Sequence, residues 1–274
     1  QLNWLGYCIT LNVPERSLAE TVALYTGLQL LTAPASAKGD ITVLEHSGYF
    51  EVKWRNTSLQ CESEEDLLVN VATLVPAHFF LASSSQPALH AGALLHRGEA
   101  ILFSGDPYCG KSTLAFNAWQ LKEAIIGDDW LLYDSGNFTV RGFPKPINPR
   151  VNPKQLPRIS KTVNSQQYVV GKIHNEWRLM ISRQAGFVNS YETPYHIRSL
   201  FFISRDPGAG SRVEAIERDQ ALRKILSQTL LTKGRMSLSG IKLLEHLWKE
   251  NKVYHLHIGE DDFELAIDLM KSTE

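Results

Sequence analysis

The sequence predicts an α/β protein, and three stretches carry that prediction. Ala100–Phe103 is an apolar, strand-like run that passes through a glycine-bounded turn into a helix carrying Leu114, Ala115 and Trp119. Ile197–Ile203 has the pattern of a buried strand. A helix over Arg218–Leu231 follows it, with Ala221, Ile225, Leu226 and Leu230 at core spacing. Val253–Ile258 repeats the order, a strand before a helix over Asp261–Met270 with an acidic first turn. Strands and helices that alternate in this way build a sheet covered by helices.

The chain has 274 residues, 43% hydrophobic and 21% charged, enough apolar material for a full core and length for a small unit joined to a larger one. The sequence divides at residue 87, into an α+β unit over 1–87, structural or docking, and a domain over 88–274. In the first, Leu2–Val13 is strand-like, and a helix opens at Pro14-Glu15-Arg16 with Leu18, Val22, Ala23 and Tyr25 on its apolar side. Strands follow around Ile41–Leu44 and Tyr49–Trp54. Ser63-Glu64-Glu65-Asp66 starts a second helix, its acids suited to the positive end of the dipole, and Pro76 is expected to bend or interrupt it. The small, polar tract Ala82–Pro87 marks the boundary.

The second domain opens with a strand over Ala88–Leu95 that carries His90. The turn His96-Arg97-Gly98 leads into the next strand, so His90 lies one hairpin away from it. The glycine-bounded turn is Gly105-Asp106-Pro107-Tyr108-Cys109-Gly110-Lys111-Ser112, with Thr113 behind it, and it fits G-x-x-x-x-G-K-[ST]. Its glycines let successive N–H groups turn toward one anion, and the helix N-terminus adds its partial positive charge. Lys111 would reach the β- and γ-phosphates and the Ser112 hydroxyl would hold Mg²⁺, so ATP and Mg²⁺ are the expected ligands. Surroundings of this kind can lower a thiol's pKa, but Cys109 is read first as filler that the loop tolerates.

Past the helix, Asp128 and Asp129 sit between the apolar runs Ala124–Ile126 and Leu131–Leu132. Burying carboxylates there is costly unless they meet a cation or a proton-sharing partner, and Mg²⁺ and His90 are the candidates. Arg141, Lys145 and Arg150 follow on a proline-held, extended path and are candidate contacts for phosphate or a substrate carboxylate. Residues 157–195 yield only strand-like pieces at Tyr168–Ile173 and Arg178–Ile181; Asp206–Gly210 is a turn and Ser239–Lys249 a helix. His255 and His257 share one face of the last strand, but two histidines with no third ligand nearby are read as structural.

Composition excludes several classes. A net charge of -1 leaves no basic field for nucleic acid. Cys8, Cys61 and Cys109 are too widely spaced for a zinc or disulfide framework and fit a reducing cytoplasm. No apolar run is long enough for a bilayer, so a soluble, cytoplasmic protein is expected, with homo-oligomerisation left open. Beginning at Gln1, the sequence is expected to lack a native start or to follow a cleaved tag.

His90, Gly105–Ser112 and Gly127-Asp128-Asp129, in that order, resemble the HPr kinase/phosphorylase superfamily. The Pro144-Lys145-Pro146 tract, and the Ile197–Ile203 strand with its long following helix, are similar to the shorter relatives that include kinases of lasso-peptide precursors. The resemblance covers residues 88–231. It implies a phosphoenolpyruvate-carboxykinase-like P-loop fold, a mixed sheet flanked by helices. The implied activity is an ATP-dependent serine kinase acting on a peptide, at the C-terminal serine of a ribosomal natural-product precursor. By the same resemblance Ser112 and Asp129 would hold the metal, Asp129 would be the general base, and Asp128 would pair with His90, although which aspartate is the base stays open. The Glu-Ile-Arg-Gly signature of the bifunctional members is met only by Thr139-Val140-Arg141-Gly142, without the glutamate, which favours a one-way kinase. The alternatives are a kinase of a small hydroxylated metabolite such as free serine, and a nucleotide-sensing module without transfer. His90 with two aspartates speaks against the last, because ATP binding alone needs no buried base.

Overall fold

A computed structural model describes every residue except 5–6, 32–39, 83–86, 153, 155–166, 183–192, 231–237, 261 and 274. The chain divides into two compact units, Gln1–Ser83 with Pro144–Ala185, and Ser84–Phe143 with Gly186–Glu274. The N-terminal unit is therefore not linear in sequence. It includes a segment that the division at residue 87 assigned to the second domain.

In the first unit Leu2–Trp4 pairs with Tyr7–Ile9 and with Gln29–Leu30. A second sheet runs in the order Leu11–Asn12, Ile41–His46, Tyr49–Trp54, Thr57–Cys61. Helix Arg16–Thr26 buries Val22, Ala23 and Tyr25, and stops at Gly27, whose φ of 69° lets its N–H reach the Ala23 carbonyl. Helix Glu64–Ala82 begins at Ser63, whose hydroxyl accepts the Asp66 N–H at 3.1 Å. Pro76 lies inside this helix without interrupting it. A proline removes one ladder donor, and burial of Val69, Ala72, Val75 and Phe79 outweighs that local loss. The returning segment supplies the hairpin Tyr168–Ile173/Glu176–Ile181, turned by His174 and Asn175 at positive φ.

The second unit is a mixed α/β structure built on a ten-stranded sheet. Its main path runs Ala124–Gly127, Ala91–His96, Glu99–Ser104, Tyr195–Arg205, Thr139–Gly142, Leu131–Asp134, Ala88–Leu89, Thr229–Leu230. Val253–Ile258 also pairs with Tyr195–Arg205, and Arg212–Ala215 with Val253–Ile258. Glu99–Ser104, Tyr195–Arg205 and Val253–Ile258 are parallel, and the remaining pairs are antiparallel. On one face Leu102, Leu200 and Phe202 pack with Ile225 of helix Arg218–Gln228 and Leu244 of helix Ser239–Lys249. Ile203 and Arg205, which alternate to the other face, meet the loop after Ser104. Helix Lys111–Gln120 packs with helix Phe263–Ser272, and Lys271 pairs with Glu123 at 2.6 Å.

Two expectations are corrected here. The strand expected over Ala88–Leu95 is two strands, Ala88–Leu89 and Ala91–His96, with His90 in the break. The facing run is broken as well, between Gly127 and Leu131, so neither side has a ladder partner to stay straight against. The helix from Arg218 ends at Gln228 and passes into the short strand Thr229–Leu230, short of the expected Leu231. The expected helix start at Asp261 and much of 157–195 lie outside the described residues. Among the described residues no helix is long and apolar enough to cross a membrane.

Candidate active site

The site begins where the fully buried run Ala100–Ser104 ends. A Cβ on Gly105 would lie 2.7 Å from the Ile203 carbonyl oxygen and 2.8 Å from Cys109 Sγ, so only glycine lets the loop leave the strand this closely. Tyr108 and Gly110 have φ of 68° and 103°, and Cys109 N–H donates to the Asp106 carbonyl at 3.2 Å, which curls the loop on itself. Leu114 N–H donates to Gly110 O at 2.8 Å, so the helix is established at the end of the motif. Its first-turn N–H groups face the loop without helical partners of their own.

Lys111 is 7% exposed, and its ammonium donates to the carbonyls of Gly105 at 2.6 Å and Asp106 at 3.2 Å. These are weak, neutral acceptors that phosphate oxygens outcompete for a cation. Ser112 and Thr113 follow in the first helical turn. Cys109 is buried within the loop. Burial pushes its thiol up, and the nearby Lys111 charge offsets this only in part, so the buried Cys109 is not an activated thiolate.

His90 meets the loop from the neighbouring strand, where Ala91 pairs with Ser104 and the Ser104 hydroxyl donates to the His90 carbonyl at 2.9 Å. The His90 N–H donates to the Gln228 carbonyl at 2.7 Å. With backbone held on both sides, His90 Nε2 lies 2.8 Å from Asp129 Oδ1. The expected His90–Asp128 pair is thus corrected: Asp129 is the partner, while Asp128 is 2% exposed. Both aspartates follow the strand end at Gly127 in a bend, which brings Asp129 to the histidine.

The three candidate substrate cations are divided between the two units. Arg141 stands on strand Thr139–Gly142 opposite Leu132 and belongs to the unit that holds the P-loop. Lys145 and Arg150 belong to the other unit, and Arg150 Nε is held by Glu176 at 2.6 Å, beside Arg178 on the same carboxylate. Two cations beside the loop were not singled out from sequence. Lys224 Nζ lies 3.9 Å from Asp106 Oδ2, and Arg205 lies against Gly110 with its guanidinium 4.7 Å from the Phe263 ring. Both are over 90 residues from the loop in sequence, and no local pattern marks them. His255 and His257 do share one face, with ring centroids 4.0 Å apart.

No protein-family model and no curated protein matches the chain. Among solved structures it is similar to the HPr(Ser) kinase/phosphatase from Coxiella burnetii. The TM-score is 0.31 and the identity 11%, over 67% of this chain and 92% of that one.

Proposed function

We propose that the second unit is a phosphotransferase that moves the γ-phosphoryl group of ATP to a hydroxyl acceptor. The observation that carries this reading is the 2.8 Å His90–Asp129 pair beside a complete P-loop. Binding a nucleotide requires the loop alone, whereas a carboxylate oriented by an imidazole is what a proton-accepting step requires.

The amides of Gly105–Ser112 and the helix N-terminus would receive the phosphates. The Lys111 ammonium would exchange the Gly105 and Asp106 carbonyls for phosphate oxygens. Asp129, held through Oδ1 by His90, would take the proton of the attacking hydroxyl as its oxygen bonds to Pγ and the bond to ADP breaks. The oxygen donors of Ser112 and the aspartate pair suit Mg²⁺. When bound, it supplies charge neutralisation at the β- and γ-phosphate oxygens.

The resemblance at His90, Gly105–Ser112 and Gly127-Asp128-Asp129 supports a serine hydroxyl of a peptide as acceptor, at the C-terminus of a lasso-peptide precursor. It likewise supports reading the mixed sheet as phosphoenolpyruvate-carboxykinase-like and placing the reaction in the cytoplasm. The test is mass spectrometry after incubation with Mg²⁺·ATP of peptides ending in serine, their C-terminal amides, HPr and free serine. A gain of one phosphate on the free-acid peptide is expected. Labelling of free serine alone would make this a metabolite kinase. Asp129→Asn should leave nucleotide affinity unchanged and slow transfer by about 10²–10⁴-fold, and an unchanged rate would remove Asp129 as the base.

A further inference from the structure

A second cluster of titratable side chains stands at the carboxyl edge of the three parallel strands, the edge at which the P-loop opens. Ser104, the last strand residue before the loop, pairs with Phe202, and Ser204 lies two residues further along, on the face of Phe202. Ile203, its chain neighbour, brings its carbonyl to within 2.7 Å of where a Gly105 Cβ would sit. Ser204 Oγ lies 3.0 Å from His255 Nε2 and 3.1 Å from His257 Nδ1. The other ring nitrogen of His257 faces Glu214 Oε2 at 3.4 Å. Lys224 connects this cluster to the loop, since its charge acts on His255 and its Nζ is the one that approaches Asp106.

A hydroxyl has one proton to give, so between two imidazole nitrogens it donates to one and accepts from the other. His257 is the natural acceptor, because an Nε2–H turned toward Glu214 Oε2 leaves the ring's lone pair on Nδ1. Burial first, then the neighbouring His257 and Lys224, keep His255 uncharged by pulling its pKa down to about 4, against a weaker opposing effect of Glu214. The tautomers that complete all three contacts place a proton on His255 Nε2 and a lone pair on His257 Nδ1. A serine that donates to an imidazole backed by a carboxylate and accepts from a second, uncharged imidazole has the parts of an activated nucleophile. The transfer proposed above uses none of them.

We propose that Ser204 is a self-phosphorylation site, its Oγ taking the γ-phosphoryl group of ATP held in the P-loop of the same chain. The Oγ–Pγ bond forms as the bond from Pγ to the β,γ-bridging oxygen breaks. The hydroxyl proton passes to His257 Nδ1, and ADP leaves. The new phosphate, with nearly two negative charges, stands among Lys224, His255 and His257, with Glu214 opposed. This inference rests on the nucleotide reading of the P-loop, but on neither the His90–Asp129 pair nor an external acceptor.

The test incubates the full chain with Mg²⁺ and γ-labelled ATP in the absence of any acceptor, then maps phosphate by tandem mass spectrometry. Label on Ser204 is expected, at a rate independent of protein concentration. It should be absent in Ser204→Ala and Lys111→Met, and slowed about a hundredfold in His257→Gln. Nucleotide binding without phosphate on Ser204, or label that survives Ser204→Ala, overturns the proposal. Peptide phosphorylation with Ser204 unlabelled overturns this inference alone, whereas a wild-type protein that binds no nucleotide fails the P-loop reading and this one with it.

Discussion

Burial decides what His255 can do with a proton. The unfolded chain takes a proton on this ring near its ordinary value of 6.5, and the folded chain only near about 4. Between those values the unfolded state binds more protons. Stability contributed by the uncharged ring is therefore complete above pH 6.5 and is lost as pH falls toward 4. For a half-buried ring the loss is on the order of 1–3 kcal/mol. Urea unfolding at about pH 7 and about pH 5 should show a larger loss for the wild type than for His255→Gln, and equal losses would exclude the effect. This kind of chemistry was only half legible. The spacing of His255 and His257 puts them on one face, but Ser204 enters from a different strand, and nothing local announces that a hydroxyl will sit between them. The same holds for Asp129. Two adjacent carboxylates before a strand are visible in sequence, whereas which one meets His90 depends on where the two facing strands break.

Elements were legible where their cause is local. The glycine-bounded loop needs only its own residues, its preceding strand and its following helix, all within Glu99–Gln120. The docking of helix Glu64–Ala82 on strand Tyr168–Ile173 needs residues a hundred positions apart. Asp66 Oδ1 accepts the Lys172 N–H at 2.7 Å and Asn70 Nδ2 donates to the Lys172 carbonyl at 2.9 Å, so both backbone groups of one strand residue are held from a single helix face. Gly171 makes this approach sterically possible, since a Cβ there would lie 2.6 Å from the Glu65 carbonyl oxygen and 3.0 Å from the Asp66 nitrogen. Both are backbone atoms and cannot turn aside. Gly171→Ala should cost about 1–3 kcal/mol, read as a loss of hydrogen-exchange protection across Tyr168–Ile181 of roughly 10- to 100-fold. Gly208→Ala, whose Cβ would meet nothing within 4 Å, is the control and should change protection little. Equal protection in Gly171→Ala would mean that the helix and strand separate at no cost.

At the scale of the whole molecule, the apolar and polar patterning marks each strand but not which unit it completes, and for that reason the linear division at residue 87 misses the excursion of residues 144–185. The excursion leaves after strand Thr139–Gly142 and returns into strand Tyr195–Arg205, and these are antiparallel neighbours with Val140 opposite Tyr195. The inserted segment therefore occupies the place of a hairpin loop. A long insertion at such a point costs little in closure entropy, because the paired strands already hold its ends together. It follows that the two units can be separated only along their true boundaries. A chain beginning at Ala88 keeps the hairpin Tyr168–Ile181 but loses Asp66, Asn70 and the rest of the helix that brackets it. That chain should bind hydrophobic dyes and aggregate, with its hairpin amides unprotected in hydrogen exchange. Replacing residues 144–185 of the same chain with a short Gly-Ser linker should restore a folded protein that binds ATP, since the sheet and the P-loop are then whole. If the chain beginning at Ala88 instead folds with a protected hairpin, residues 144–185 are stable without the N-terminal segment, and the division by contacts is not a division of stability.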